Sequence, residues 1–190
     1  GHAAKPQIAV DPTVVGSHIV IALQSIVSRN ADPTDQIVVS VTSFETSSKA
    51  FNVIPQTVVL KGTVRTLSVT TRDLAEKRLV EISAKTGDVF GADVNPIYTR
   101  GYPVMTNSVE QTEFAASVAK SVSGNCEDAP LVMGGEDFSY MAIERPGAYI
   151  LIGNGDSAPV HNPNYNFNDE AISIGCSWWA EIIERRMPLS

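Results

Sequence analysis

Hydrophobic positions in the first third of the chain change from helical spacing to alternation. Apolar residues recur every three or four positions over residues 12–29, which predicts an amphipathic helix with Asp11 as its N-cap. Alternating segments rich in Val and Thr then predict strands over 37–44 and 57–67. Gly62, in the middle of the second strand, predicts a bulge or a close approach of another backbone segment.

Helical spacing returns after the second strand. It predicts a helix from Thr70 to about Thr86, ended by Gly87, and a short third strand over 93–100. The resulting order is helix, strand, strand, helix, strand. One more strand in front would complete the β-α-β-β-α-β order of a ferredoxin-like domain, and the chain begins where that strand would end.

The pattern is interrupted at Gly101-Tyr102-Pro103, which predicts a boundary between domains 1–103 and 104–190. The second part repeats the mixture of helices and strands: a helix over 109–122, a strand around Ile150 and a helix over 169–187. The fold class expected from the whole pattern is α/β, with an α+β first domain.

Composition excludes several classes of protein. The 190 residues are 43% hydrophobic and 18% charged, the balance of a globular chain of one or two domains. With 14 basic and 21 acidic residues and no Lys/Arg cluster, nucleic acid is not expected as a partner, and no apolar run is long enough to span a membrane. Cys126 and Cys176 lack metal-binding spacing, so we expect reduced cysteines and a cytoplasmic protein.

Two loops carry residues suited to chemistry. His161 lies between an apolar run and a helix, where an imidazole can act as a metal ligand or proton carrier; a histidine bonded only to local backbone is the alternative. Gly134-Gly135 precedes Glu136 and Asp137, so the turn either presents acidic groups or free N–H donors to a cleft or places Asp137 as a helix N-cap.

Four short motifs occur in one order: GHAAKP at the start, AFNVIP followed by GTVR, GGEDFS, and VHNPNYNFND. Together they resemble the C-terminal half of the hippurate hydrolase and aminoacylase-like amidohydrolases. This branch of the dinuclear metallopeptidases also includes carboxypeptidase-type enzymes and plant auxin-conjugate hydrolases. The resemblance implies that 1–103 is a ferredoxin-like lid or dimerisation domain lacking most of its first strand. It implies that 104–190 is the C-terminal part of an α/β catalytic domain.

The resemblance also implies roles for single residues. His161 matches a ligand of one of two divalent metal ions (Zn, Mn, Co or Ni), the one ligand expected from this chain. His2 matches a lid histidine that enters the active site of the other subunit and donates to the scissile carbonyl oxygen. Asn52 matches a substrate-binding asparagine, Arg65 the arginine that pairs with the substrate carboxylate, and Glu136 a substrate-binding residue near the metals.

The function implied is metal-dependent hydrolysis of N-acyl amino acids or similar small amides by a homodimer that associates through its lid domains. The first residues, Gly1-His2-Ala3, include no methionine, so we expect a chain that has been either processed or cut out of something longer. The resemblance, which covers only the C-terminal half of the family, favours a fragment of a longer enzyme. The remaining metal ligands and the general-base glutamate belong to the absent half, so this chain alone is expected to be inactive. The alternative is a non-enzymatic dimerisation or binding module with a ferredoxin-like fold.

Overall fold

The structure, a computed structural model, describes residues 1–188, and the chain divides into two compact units, Gly1–Val104 and Met105–Ser190. The α/β class is confirmed. No helix within residues 1–188 has both the length and the apolar composition needed to cross a membrane. The regular elements are α1 (Pro12–Ser25), β1 (Ile37–Thr46), β2 (Val58–Thr66), α2 (Val69–Phe90), α3 (Val109–Ser123), α4 (Phe138–Glu144) and α5 (Glu170–Arg186).

Helix α1 begins as its local sequence predicts. The Asp11 carboxylate accepts a hydrogen bond from the N–H of Thr13 at 2.8 Å, and Pro12 occupies the first turn, where its missing N–H costs nothing. A single π turn, Ile26–Asn30, extends the helix beyond Ser25.

Strands β1 and β2 form an antiparallel pair with a bulge between Val41 and Ser43. The bulge lies opposite Gly62, where a Cβ atom would overlap the carbonyl oxygen of Ser40. The prediction of a bulge and a close backbone approach at Gly62 is therefore confirmed, and only a residue without a side chain fits there.

One face of the β1–β2 pair packs against helices α1 and α2 and forms the core of the first unit. The buried core side chains come from both helices, the π turn and β1: Val15, Ile19, Leu23, Ile26, Val39 and Ala75. Val64 on β2 packs against this cluster, whereas Lys61 and Arg65 on the opposite face are exposed. The period of two along a strand therefore separates a core face from a polar face.

Helix α2 does not end at Gly87, as the sequence predicts, but continues to Phe90 and ends at Gly91, which has a left-handed φ of 70°. Gly87 is buried inside the helix, where a Cβ would collide with the side chain of Val94. The two glycines therefore have different roles: Gly87 permits close packing, and Gly91 terminates the helix.

Residues 93–100 form no strand, and the described part of the first unit contains a two-stranded sheet, so the ferredoxin-like arrangement is not confirmed. Side-chain contacts, and not the predicted strand pairing, hold this segment against the rest of the unit. The Arg100 guanidinium bridges Glu76 and Asp73 on α2, with hydrogen bonds of 2.6 Å to each. These ion pairs tie the end of the segment to the helix surface.

In the second unit, helices α3 and α5 pack together around Ala115, Val118 and Trp178. The indole N–H of Trp178 donates to the carbonyl oxygen of Ala115 at 3.2 Å, so the buried ring is also satisfied as a donor. Ile150 packs against this cluster, but the segment around it is not a strand, which contradicts the prediction. No neighbouring strand within residues 105–188 offers it a hydrogen-bonding ladder.

Replacing Gly62 by alanine should destabilise the first unit by about 1–3 kcal/mol, because the new Cβ meets a backbone oxygen that cannot rotate away. Amide hydrogen exchange of β1 and β2 measures this directly, and roughly 10- to 100-fold loss of protection is expected. Gly101→Ala is the matched control, since a Cβ there has no neighbour within 4 Å. Equal protection in both variants would contradict the close approach.

Candidate functional site

His2 and Asn52, far apart in the sequence, lie side by side on the surface of the first unit. His2 forms an isolated antiparallel bridge with Val53. The N–H of Ala3 donates to the carbonyl oxygen of Asn52 at 3.1 Å, and the N–H of Ile54 donates to that of Gly1 at 2.8 Å. Both predicted site residues are exposed, so this backbone pairing presents two polar side chains to solvent.

The ring of His2 is held in one tautomer. Its Nδ1 accepts a hydrogen bond from the N–H of Ala4 at 3.1 Å. An accepting Nδ1 in a neutral imidazole leaves the proton on Nε2. His2 therefore presents an Nε2–H donor, the group needed to bind an oxygen on which negative charge develops.

Arg65 lies on the exposed face of β2, near the end opposite the 47–57 loop that carries Asn52. One terminal nitrogen, Nη1, donates to the Thr63 hydroxyl and, at 3.0 Å, to the carbonyl oxygen of Val64. These contacts steady the guanidinium, and its Nε and Nη2 donors have no hydrogen-bond partner within residues 1–188. The structure does not bring Arg65 together with Asn52, since the strand between Val58 and Arg65 is roughly 23 Å long at about 3.3 Å per residue.

Glu136 lies just before helix α4 and is linked to Tyr149. The pKa of Glu136 lies below its ordinary value of 4.5. The largest cause is a hydrogen bond from the Tyr149 hydroxyl, and the next largest is a hydrogen bond from the N–H of Phe138. The same contact with Glu136 raises the pKa of Tyr149. The contact therefore favours the ionised form of the Glu136 carboxyl and the protonated form of the Tyr149 hydroxyl.

Asp137, which the sequence left open as an acidic site residue or an N-cap, occupies the N-cap position of α4 without a side-chain capping hydrogen bond. The Glu136 carboxylate accepts from the N–H of Phe138 at 3.3 Å instead. The Ser139 hydroxyl donates to the backbone carbonyl of Glu136 at 2.5 Å. Glu136 is therefore the residue that closes this turn.

His161 is exposed at the tip of the 154–168 loop and has φ of 69°, the one positive φ of a non-glycine residue within residues 1–188. A left-handed conformation is uncommon for a residue with a Cβ and marks a position worth explaining. No hydrogen bond to its ring occurs within the described residues, so the alternative of a histidine bonded to local backbone gains no support from its side chain. Both ring nitrogens are available to an external group.

The donor set for a metal ion is incomplete in this chain. No group of three or more His, Cys, Asp or Glu side chains in residues 1–188 is arranged to hold one. An exposed neutral imidazole fits one coordination position of a divalent ion such as zinc. His161 therefore fits as a single ligand of a centre completed by other residues.

Sequence reasoning missed two residues that shape these loops, Tyr149 and Asn154. Tyr149 lies in the apolar run before the His161 loop, and the signal that could have singled it out is that a buried tyrosine usually finds a partner for its hydroxyl. Its backbone is held by Asn107, whose side-chain amide accepts from the Tyr149 N–H at 2.8 Å and donates to its carbonyl oxygen at 2.9 Å. Asn154 lies at the start of a polar segment, and no local pattern in the sequence indicates its contacts with residues 166 and 168.

Comparison with known proteins identifies a family and its members. The family described as Peptidase family M20/M25/M40 matches residues 5–185. The hippurate hydrolase of Campylobacter jejuni is 36% identical over 186 residues, which are 96% of this chain and 48% of that protein. The IAA-amino acid hydrolase ILR1-like 5 of Arabidopsis thaliana is 33% identical over 196 residues, which are 97% of this chain and 45% of that protein.

A solved structure agrees with the sequence relatives. The crystal structure of the YXEP protein of Bacillus subtilis, described as a dinuclear metal binding peptidase from the M20 family, superposes with a TM-score of 0.71 at 25% identity. The match covers 91% of this chain and 45% of that one. The chain thus spans about half the length of the relatives it matches.

Replacing Tyr149 by phenylalanine should raise the pKa of Glu136 back toward 4.5, because the largest cause of its lowering is removed. In the wild type, a lowered folded pKa means that the contribution of Glu136 to stability is fully present above pH 4.5 and is lost as pH falls through the lowered value. The variant should lack much of that contribution. A carbon-detected NMR titration of the Glu136 carboxyl measures the shift.

The matched control for this titration is Tyr165→Phe, since the Tyr165 hydroxyl is not among the causes of the shift. It should leave the Glu136 titration unchanged. Identical titration curves for Tyr149→Phe and the wild type would rule out the contact.

Proposed function

Since the chain belongs to peptidase family M20/M25/M40, we propose that it forms the C-terminal half of an enzyme that hydrolyses N-acyl amino acids. Two relatives support the substrate class by what they are called: hippurate is an N-acylated glycine, and an IAA-amino acid is an amino acid acylated by an auxin. Both substrates combine an amide bond with a free carboxylate. The observation that carries the proposal is the exposed His2–Asn52 pair, which presents an Nε2–H donor suited to an amide oxygen.

His161 is proposed as one ligand of a dinuclear metal centre, in which the ions supply Lewis-acid activation when bound. The description of the B. subtilis relative as a dinuclear metal binding peptidase supports this. A single imidazole cannot hold an ion alone, so the remaining ligands and the general base are assigned to the rest of the enzyme. The 190-residue chain by itself is accordingly proposed to be inactive.

The first unit is proposed to be the lid, and its residues are assigned to substrate binding. The Nε2–H of His2 would donate to the scissile carbonyl oxygen, whose negative charge grows during the reaction. Asn52, immediately beside His2, offers a second amide donor or acceptor. Arg65 would bind the substrate carboxylate through its Nε and Nη2 donors, a planar fork that matches two carboxylate oxygens.

Glu136 is proposed as a further substrate-binding residue. It is half-buried, and the hydrogen bond from Tyr149 lowers its pKa and so favours its carboxylate form. A fixed negative charge there favours substrates whose nearby part is neutral or positive, and disfavours a second carboxylate.

The expectation of a cytoplasmic protein, based on the two free cysteines, stays a prediction.

A homodimer formed through the lid is proposed because His2 and Arg65 lie at opposite ends of the β1–β2 pair. A small N-acyl amino acid is shorter than the roughly 23 Å strand between them, so one chain does not readily offer both groups to one substrate. Two chains related by a two-fold axis can do so, with His2 of one chain acting in the site of the other.

Replacing Arg65 by alanine in the full-length enzyme should raise KM for N-benzoylglycine by roughly 10- to 100-fold, because a charge-assisted, two-pronged contact is lost. The neutral analogue N-benzoylglycine methyl amide should be hydrolysed equally well by wild type and variant. Arg65→Lys should restore only part of the affinity, since an ammonium lacks the planar fork.

Lys61→Ala is the matched control for Arg65. Lys61 lies on the same exposed face of the same strand and pairs with Glu45 at 3.2 Å. This variant should leave both substrates unaffected. An unchanged KM in Arg65→Ala, or an equal loss for the charged and neutral substrates, would refute the carboxylate-binding role, and turnover by this chain alone would refute the half-enzyme proposal.

Mixing two inactive variants should restore activity if His2 acts across subunits. His2→Ala and His161→Ala homodimers should each be inactive, whereas their mixed dimer contains one site with both histidines intact. Random exchange of subunits should recover about a quarter of the wild-type sites. Sedimentation confirms the dimer, and a dimer with no recovery would show that His2 serves its own chain.

A further inference from the structure

Asn154 closes the loop that carries His161 by binding the other end of that loop with its side chain. Its Oδ1 accepts from the backbone N–H of Asn168 at 2.7 Å, and its Nδ2 donates to the backbone carbonyl of Asn166 at 2.8 Å. Nδ2 also lies 2.8 Å from the Ser157 hydroxyl. The amide thus pairs with the backbone much as a neighbouring strand would.

The 154–168 loop has no helix or strand to fix it. Contacts near the tip are local: the N–H of Asn162 donates to the carbonyl oxygen of Pro159 at 3.1 Å, and the N–H of Asn164 donates to the Asn162 side chain at 2.9 Å. These turns shape the tip but do not attach it to the base. The attachment comes from Asn154, which joins the segment after Ile152 to the segment before α5.

The left-handed backbone of His161 makes that attachment important. Other backbone conformations are lower in energy for a residue with a Cβ, so contacts of the surrounding loop help to keep His161 in this one. If the two ends of the loop separated, the tip could relax and the imidazole would move. The clamp at the base therefore opposes the relaxation of the tip.

We propose that Asn154 is the positioning residue for His161, fixing the imidazole where it can bind a divalent metal ion. This inference rests on the proposed function of His161 as a metal ligand. Asn154 itself does not touch the metal; it acts through the loop. Groups that orient a metal ligand typically contribute roughly 10- to 100-fold to metal affinity.

The chemistry of an amide suits this role better than that of a carboxylate. Asparagine offers an acceptor and a donor on one flat group, so it can satisfy a backbone N–H and a backbone carbonyl together. Aspartate would keep the bond from Asn168 but face the carbonyl of Asn166 with a second acceptor. Alanine would leave both backbone groups to solvent.

The test measures Mn²⁺ affinity and amide hydrogen exchange in the full-length enzyme. Asn154→Ala should bind Mn²⁺ roughly 10- to 100-fold more weakly, and the Asn168 amide should exchange roughly 10-fold faster. Asn154→Asp should show a smaller loss in both measurements, and it serves as the second variant if alanine prevents folding. Fluorescence of Trp178 and Trp179 checks that the second unit remains folded.

Asn125→Ala is the matched control, because it removes an asparagine of the same unit whose side chain, within residues 1–188, bonds only to nearby Glu127, at 3.0 Å. It should leave Mn²⁺ affinity unchanged. His161→Ala tests the ligand role of His161 separately from the positioning role of Asn154. If it weakens Mn²⁺ binding while folded Asn154→Ala and Asn154→Asp do not, the positioning role is overturned. If His161→Ala leaves affinity unchanged, the ligand role fails, and the positioning role fails with it.

Discussion

Side-chain amides provide the backbone pairing in the second unit at places where the described residues contain no strand neighbour. Backbone N–H and carbonyl groups in packed segments need partners, and an unpaired group costs about as much as a lost hydrogen bond. Asn107 supplies both partners for Tyr149, and Asn154 supplies them for Asn166 and Asn168. Tyr149 in turn holds Glu136, and the second clamp holds the loop of His161. The geometry of both candidate groups therefore depends on two asparagines.

In the first unit, the packing of one face of the sheet determines which polar side chains are exposed on the other. Its β1–β2 pair buries one face under two helices, which leaves the other face free for polar side chains. Arg65 can remain charged there without desolvation, and the contacts with Thr63 and Val64 limit its motion. At the far end of the pair, backbone bonds between the first residues and the 52–54 segment present His2 beside Asn52. The packing of one face of the β1–β2 pair against the helices thus fixes the position of the residues on its exposed face.

Local chemistry could be predicted from the sequence, and long-range partners could not. The Asp11 cap and the Gly62 bulge follow from the properties of single residues at defined places in a pattern. Gly87 was misread because its role depends on Val94, a residue outside the helix that packs against it. The segment around Ile150 was misread because an apolar run predicts burial, whereas a strand also needs a neighbour. His2 and Asn52 were selected through the family motifs, since no periodicity links residues so far apart.

Exposure of the candidate residues limits what each unit can do alone. His2, Asn52, Arg65 and His161 are exposed, and Glu136 is half-buried. An exposed guanidinium–carboxylate contact in water contributes about 0–1 kcal/mol, too little to select one substrate. The same contact becomes much stronger when water is excluded, because the effective dielectric constant falls. Strong binding of a carboxylate by these residues would therefore require a surface that excludes water from them.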